Sequence, residues 1–214
     1  WLNYFPKKDI TCIYEDSKKS IWVGTKDDGL FRLDRNGGIT NYGTAPHQNM
    51  LSSSYVRCVV EDNLGNYWIG TFKGLDKLDV TTGTFTHYSK DNKPYSLSNS
   101  SIICMMKDRQ GTFWIGTYYG GVNLFNPDYE IYTYYYPDES QKGKLTSPFA
   151  GRMIEDSKGG IWIATEGGGV NYLDRKTRTF TEYKHDVSKN SLASNTIQSL
   201  FLDEDNQALW IGTL

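Results

Sequence analysis

The chain has 214 residues, a formal net charge of −2, 22% charged residues and 38% hydrophobic ones. That length allows a sizeable core in one or two domains, the balance excludes disorder by composition, and a charge near zero gives no electrostatic case for nucleic acid or an anionic membrane. Aromatics make up 14% beside 21 Gly and only 6 Pro, a mixture that favours sheet over helix.

The chain opens at Trp1 rather than Met, with no basic stretch leading into an apolar run. No signal peptide is therefore expected, and the start is expected to be that of a mature or trimmed piece. Trp1-Leu2-Asn3-Tyr4-Phe5 is similar to the later Phe85-Thr86-His87-Tyr88 and Phe180-Thr181-Glu182-Tyr183. Residues 1–5 are thus expected to form a leftover outer strand.

From there the chain repeats. Trp22, Trp68, Trp114, Trp162 and Trp210 each open a Trp-[Ile/Val]-[Gly/Ala]-Thr segment, with spacings of 46, 46, 48 and 48 residues. Asp16, Asp62, Asp108 and Asp156 each stand six residues before a tryptophan, and Asp203 stands seven before Trp210. Leu51, Leu97 and Leu145 keep the same phase, with Leu192 shifted by one. The third repeat shows the layout: strand A over Ile102–Asp108, a tight turn Asp108-Arg109-Gln110-Gly111, strand B over Thr112–Thr117, a glycine turn, strand C over Val122–Phe125 and strand D over Tyr129–Tyr134. Aspartate caps turn donors and glycine supplies positive φ there.

Four short strands per unit of about 40–50 residues are the signature of a β-propeller blade. The fold class expected is all-β: four-stranded antiparallel blades at about 10–43, 56–89, 102–137 and 150–184, and a partial blade at 197–214. A lone blade cannot bury both faces, so blades must stack. The tryptophans are read as packing between blades, and the small residue two places after each as room for close backbone approach. The chain would be a fragment of a larger ring, with open edges that a second copy could cover.

The pattern D-x-x-G-x-[FIY]-W-[IV]-G-T followed by G-[LV] and [LF]-[DN] resembles the two-component regulator propeller repeat. It is carried by Asp62, Gly65, Trp68, Gly70, Thr71, Gly74, Leu75 and Asp79, and by Asp156, Gly159, Trp162, Thr165, Gly169, Val170 and Asp174. Lys19 at the turn glycine, Ala164 in the strand motif and one residue fewer before Gly74 depart from it, and these departures are read as touching turns. The resemblance implies the periplasmic sensor region of a Bacteroides-type hybrid two-component protein, ahead of a membrane helix, histidine kinase and response regulator. It also implies paired seven-bladed propellers and an oligosaccharide ligand that controls polysaccharide use. Seven such blades would need roughly 330 residues.

No catalytic constellation stands out. His47, His87 and His185 sit in no H-E-x-x-H motif, and no G-x-S-x-G occurs. His87 and His185 are expected to be exposed surface residues. Gly167-Gly168-Gly169 lies at a repeating turn with no helix behind it, so no phosphate loop is expected. The longest wholly apolar run, Ile102–Met106, is far short of the roughly 20 residues of a membrane helix, so no direct membrane contact is expected of this domain. Cys12, Cys58 and Cys104 occupy one equivalent strand A position and are read as small buried apolar residues, too far apart for disulfides. No cofactor and no metal are expected.

Binding is sought where repeats differ. The turns between strands B and C vary: Lys26-Asp27-Asp28, Phe72-Lys73, Tyr118-Tyr119 and Glu166-Gly167. Tyr118, Tyr119, Phe72, Lys73, Asp28 and Glu166 are expected to face a ligand, since aromatic faces stack on sugars and charged neighbours bond hydroxyls. The competing reading makes them exposed turn residues or contacts to the neighbouring propeller. The tyrosines at 132, 134, 135 and 136 are read as outer-strand packing or a protein interface. The function expected is a non-catalytic sensor; the alternatives are a propeller enzyme acting on glycans, a lyase or hydrolase, and a protein–protein interaction propeller.

Overall fold

The computed structural model describes residues 5–43, 50–91, 96–126, 131–138 and 143–214, with the backbone alone at 131–133. Among these every regular element is a β-strand. The first sheet runs β1 (Ile10–Glu15), β2 (Ile21–Thr25), β3 (Leu30–Leu33), β4 (Ile39–Tyr42), and the second β5 (Val56–Glu61), β6 (Tyr67–Thr71), β7 (Leu75–Asp79), β8 (Thr84–Tyr88). The third is β9 (Ile102–Lys107), β10 (Phe113–Thr117), β11 (Gly121–Asn126), β12 (Ile131–Tyr135), and the fourth β13 (Ala150–Glu155), β14 (Ile161–Thr165), β15 (Val170–Asp174), β16 (Thr179–Tyr183). A two-stranded sheet, β17 (Ile197–Asp203) and β18 (Ala208–Thr213), follows. Each four-stranded sheet pairs its strands in chain order, and the resolved registers are antiparallel, which is the meander of a propeller blade.

The expected outer strand at residues 1–5 falls almost wholly outside the described residues, as do Tyr129 and Glu130 of the third strand D. The described strand there is shifted, Ile131–Tyr135.

The chain divides into two compact units, Trp1–Asn92 with Ser100–Ile103, and Lys93–Asn99 with Cys104–Leu214. In the first, Trp22 and Leu30 of one sheet pack with Val56, Val59, Tyr67 and Ile69 of the next, closed by Leu51. In the second, Trp114 and Val122 pack with Ala150, Ile161, Ile163 and Leu173, closed by Leu145. The repeated leucine thus plugs the seam between adjacent blades. Each such side chain stabilises by about 1.5–3 kcal/mol when removed from water.

The six-residue spacing of aspartate and tryptophan closes a polar loop. Asp16, Asp62 and Asp108 each accept the indole Nε1–H of their tryptophan on Oδ2, at 2.9, 3.0 and 2.9 Å. Oδ1 of each accepts the backbone N–H four residues on, at 2.7, 2.8 and 2.9 Å. Turn capping was legible in the sequence; the indole bond was not. Burial alone would raise the Asp16 pKa, but hydrogen bonds from Trp22, Tyr67, Ser20 and Lys18 outweigh it and hold the carboxyl below its usual range.

Trp22, Trp68 and Trp114 are buried, and strand D tyrosines lie over them: Tyr42, Tyr88 and Tyr135, with ring centres 5.6, 5.4 and 6.1 Å away. Tyr183 covers the half-buried Trp162 in the same way, at 5.7 Å. Trp210 is 65% exposed. It lies on the two-stranded sheet of β17 and β18.

The small residue after the tryptophan has a specific neighbour. A Cβ on Gly70 would fall against Cys58 Sγ and 2.7 Å from Ile102 Cγ2. Ala164 departs from the glycine inside strand β14, not in a turn as the sequence reading had it. It fits because its blade has the exposed Arg152 where three other blades have cysteine. Burial pushes the Cys104 thiol up to about 12, and none of the three cysteines is in a disulfide.

Candidate functional site

Every B–C turn is built on the same threonine. Thr25, Thr71, Thr117 and Thr165 are wholly buried, and each hydroxyl donates to the carbonyl of the glycine that opens strand C, at 2.8, 2.9, 3.2 and 2.7 Å. The next backbone N–H bonds the carbonyl of the residue just before strand A, as Phe72 does to Tyr55 at 3.0 Å and Glu166 to Phe149 at 3.1 Å. The scaffold therefore fixes the turn ends. The side chains between them are left to vary.

In the second unit the structure brings Tyr118, Tyr119 and Glu166 together with Phe149, which sequence reasoning missed. Tyr119 and Phe149 have ring centres 4.1 Å apart, Tyr118 and Phe149 5.2 Å, and Tyr118 meets Tyr119 edge-on at 4.9 Å. Tyr118 is 47% and Tyr119 56% exposed, so the cluster presents aromatic surface to solvent. Glu166 is exposed, and no described residue bonds its carboxylate. Tyr119 sits at φ +60, where the fourth blade places Gly167 at φ +78. A bulky residue in that left-handed region costs roughly 1–2 kcal/mol. The signal that could have found Phe149 is the residue directly before each strand A, aromatic only at Tyr55 and Phe149 among the five repeats.

In the first unit Phe72 is 51% exposed and lies nearly parallel to Tyr55, with ring centres 6.2 Å apart. The Arg57 guanidinium stands over both rings, 4.5 Å from Tyr55 and 5.3 Å from Phe72. Lys73 is exposed beside them. Asp28 is partly exposed, and Lys8 Nζ pairs with its Oδ1 at 2.6 Å.

His87 is exposed, as expected, and it also has a buried partner. Its Nδ1 lies 2.8 Å from Oδ1 of Asp76, which is wholly buried. Asp76 Oδ2 accepts the Ser52 N–H at 2.8 Å and the Ser52 hydroxyl at 2.9 Å. Burial pushes the Asp76 pKa up, against the opposing bonds from His87 and Ser52. In the third and fourth blades Asn123 and Asn171 make the same backbone bond, to Ser98 and Thr146. Ser52 bonds the carboxylate rather than the imidazole, so these groups do not form a serine–histidine relay. His185 is exposed, with Nδ1 2.5 Å from the Leu192 carbonyl, and His47 lies outside the described residues. Among the described residues no group of three or more His, Cys, Asp or Glu could hold a metal ion. Of the outer-strand tyrosines, Tyr135 packs on Trp114 and Phe180 while Tyr134 and Tyr136 are exposed; the Tyr132 side chain is outside the described residues.

Four segments, residues 4–27, 50–73, 96–119 and 191–214, match the model of the family described as Two component regulator propeller. No curated protein matches the chain. Among solved structures it is similar to the extracellular domain of a candidate one component system from B. thetaiotaomicron, at 24% identity and TM-score 0.77, over 96% of this chain and 28% of that one. A second similar structure, the extracellular domain of a candidate hybrid two component system from B. thetaiotaomicron, has 20% identity and TM-score 0.59, over 99% of this chain and 34% of that one. Virginiamycin B lyase from Staphylococcus aureus is similar at 15% identity and TM-score 0.70, over 95% of this chain and 63% of that one. The chain therefore spans less than two thirds of each of these proteins, and at such identities the likeness shows the fold. The matched segments run in phase with the tryptophan period and end at the B–C turns, and the sheets around them are propeller blades: these four segments match the repeat of the two component regulator propeller family.

Proposed function

We propose that this chain is part of the extracytoplasmic sensing region of a hybrid two-component signalling protein, and that it binds an oligosaccharide through its aromatic B–C turns without turning it over. The observation that carries the reading is the exposed Tyr118–Tyr119–Phe149 cluster beside Glu166, held on a rigid turn at the expense of a left-handed tyrosine. Aromatic faces exposed next to a free carboxylate suit a sugar, which offers an apolar ring face and a rim of hydroxyls. Strain of this kind is kept where function requires it. The sensor role draws support from the described extracellular domains of two similar structures. The periplasm is then the compartment, and a neighbouring propeller and a kinase in the parent protein receive the signal. A ligand transmits a signal only if it binds one arrangement of the parent protein better than another.

Calorimetry against a panel of plant and host oligosaccharides, with chromatography of each mixture, tests this. The reading expects binding with unchanged ligand, weakened at least tenfold by Tyr118→Ala and by Glu166→Ala. Release of a product would contradict the sensor reading in favour of a lyase or hydrolase.

A further inference from the structure

The residue five places before the repeat aspartate has a structural task, and arginine exceeds it. In the first blade this position is Thr11, whose hydroxyl donates to the Val56 carbonyl of the next strand A at 2.5 Å. In the second it is Arg57, whose Nη1 donates to the equivalent carbonyl of Ile102 and to Ser101 Oγ, both at 2.9 Å. A threonine therefore suffices for the pin. Arginine adds donors on Nε and Nη2 and a fixed positive charge. No described carboxylate pairs with Arg57 or with the neighbouring Lys73. The guanidinium plane is held over Tyr55 and Phe72, and Phe72 presents half its surface to solvent. A cation fixed over aromatic faces keeps its outward N–H groups aligned for two-point bonding to a carboxylate or sulfate.

We propose that Tyr55, Arg57, Phe72 and Lys73 form a binding site for an oligosaccharide bearing a carboxylate or sulfate: the ring face stacks on Phe72, and the anion bonds Arg57 with Lys73 as a second charge. This rests on the oligosaccharide reading above and adds the charge class of the ligand.

The test is calorimetric titration with two matched pairs: a galacturonic acid disaccharide and its carboxyl-reduced form, and a sulfated galactose disaccharide and its unsulfated form. At least one acidic member is expected to bind tenfold or more tightly than its neutral partner, and less tightly as salt is raised. Arg57→Thr, which keeps the pin used in the first blade, is expected to abolish that preference with the melting temperature unchanged. Lys73→Gln, on an exposed side chain, is expected to reduce it severalfold. Equal binding within both pairs, or a preference that survives both substitutions, overturns the acidic site and leaves the oligosaccharide reading standing. Silence from all four probes also overturns the site; the broader reading falls only if the whole neutral and acidic panel is silent.

Discussion

The two ends of each blade differ in kind. At the A–B turn the same aspartate accepts the same indole at 2.9–3.0 Å and the same backbone N–H at 2.7–2.9 Å in three blades. At the B–C turn only the threonine and the closing glycine recur, and what lies between ranges from Phe72-Lys73 to Tyr118-Tyr119 to Glu166-Gly167. A buried carboxylate satisfied by several donors leaves no freedom for substitution, because each orphaned donor is costly. A turn fixed through its backbone leaves its side chains free for recognition. One end maintains the fold, and the other carries whatever distinguishes this protein.

The largest effect is expected at the uniform end. Asp62→Ala leaves the Trp68 indole and the Asn66 amide without their buried acceptor and should destabilise by about 4 kcal/mol. A urea melt that moves by less than about 1 kcal/mol would break the contrast. Gly70→Ala should cost about 2 kcal/mol by overpacking against Cys58 and Ile102. Adding Cys58→Ala should recover part of that loss, since the blade with Ala164 has no cysteine at this position; a double mutant no better than the single one would contradict that account.

The pH dependence separates two carboxylates. Asp16 is held below the ordinary range, so its contribution is present above the unfolded value and is lost as pH falls through the folded one. Asp76 is pushed up by burial, so its contribution is present below the unfolded value and is lost as pH rises through the folded one. Asp76→Asn, which copies Asn123, should therefore stabilise at neutral pH, by on the order of 1 kcal/mol, with the gain shrinking in acid. Melting curves at pH 4 and pH 7 read this directly, and a gain that grew in acid would reverse the sign argued here. The smallest effect is expected at Lys19, which takes φ +64 where later blades have glycine. Lys19→Gly should raise stability by about 0.5–1 kcal/mol, and a lowered melting temperature would contradict it.

Much of the fold was legible because the repeat writes each packing contact several times. Tryptophan, aspartate and leucine recur in phase, and their spacing alone implies four strands per blade. What the sequence concealed is tertiary. The indole–carboxylate bond needs the turn to bring residues six apart face to face. The candidate sites were half legible: variation marked Phe72, Tyr118, Tyr119 and Glu166, while Tyr55, Arg57 and Phe149 are supplied by strand A and the residue before it, distant in sequence from the turns they complete. The Lys8–Asp28 pair was not legible because its two residues lie twenty apart in sequence.

The central claim is that the B–C turns bind ligand while the scaffold beneath them does not depend on their side chains. Tyr119→Gly tests it most directly. The substitution relieves a left-handed tyrosine and removes a ring from Phe149, two effects of about 1 kcal/mol that offset. The account predicts a melting temperature within a few degrees of the parent and at least tenfold weaker calorimetric binding of whichever oligosaccharide the parent protein takes. Unchanged affinity in the folded variant would contradict it.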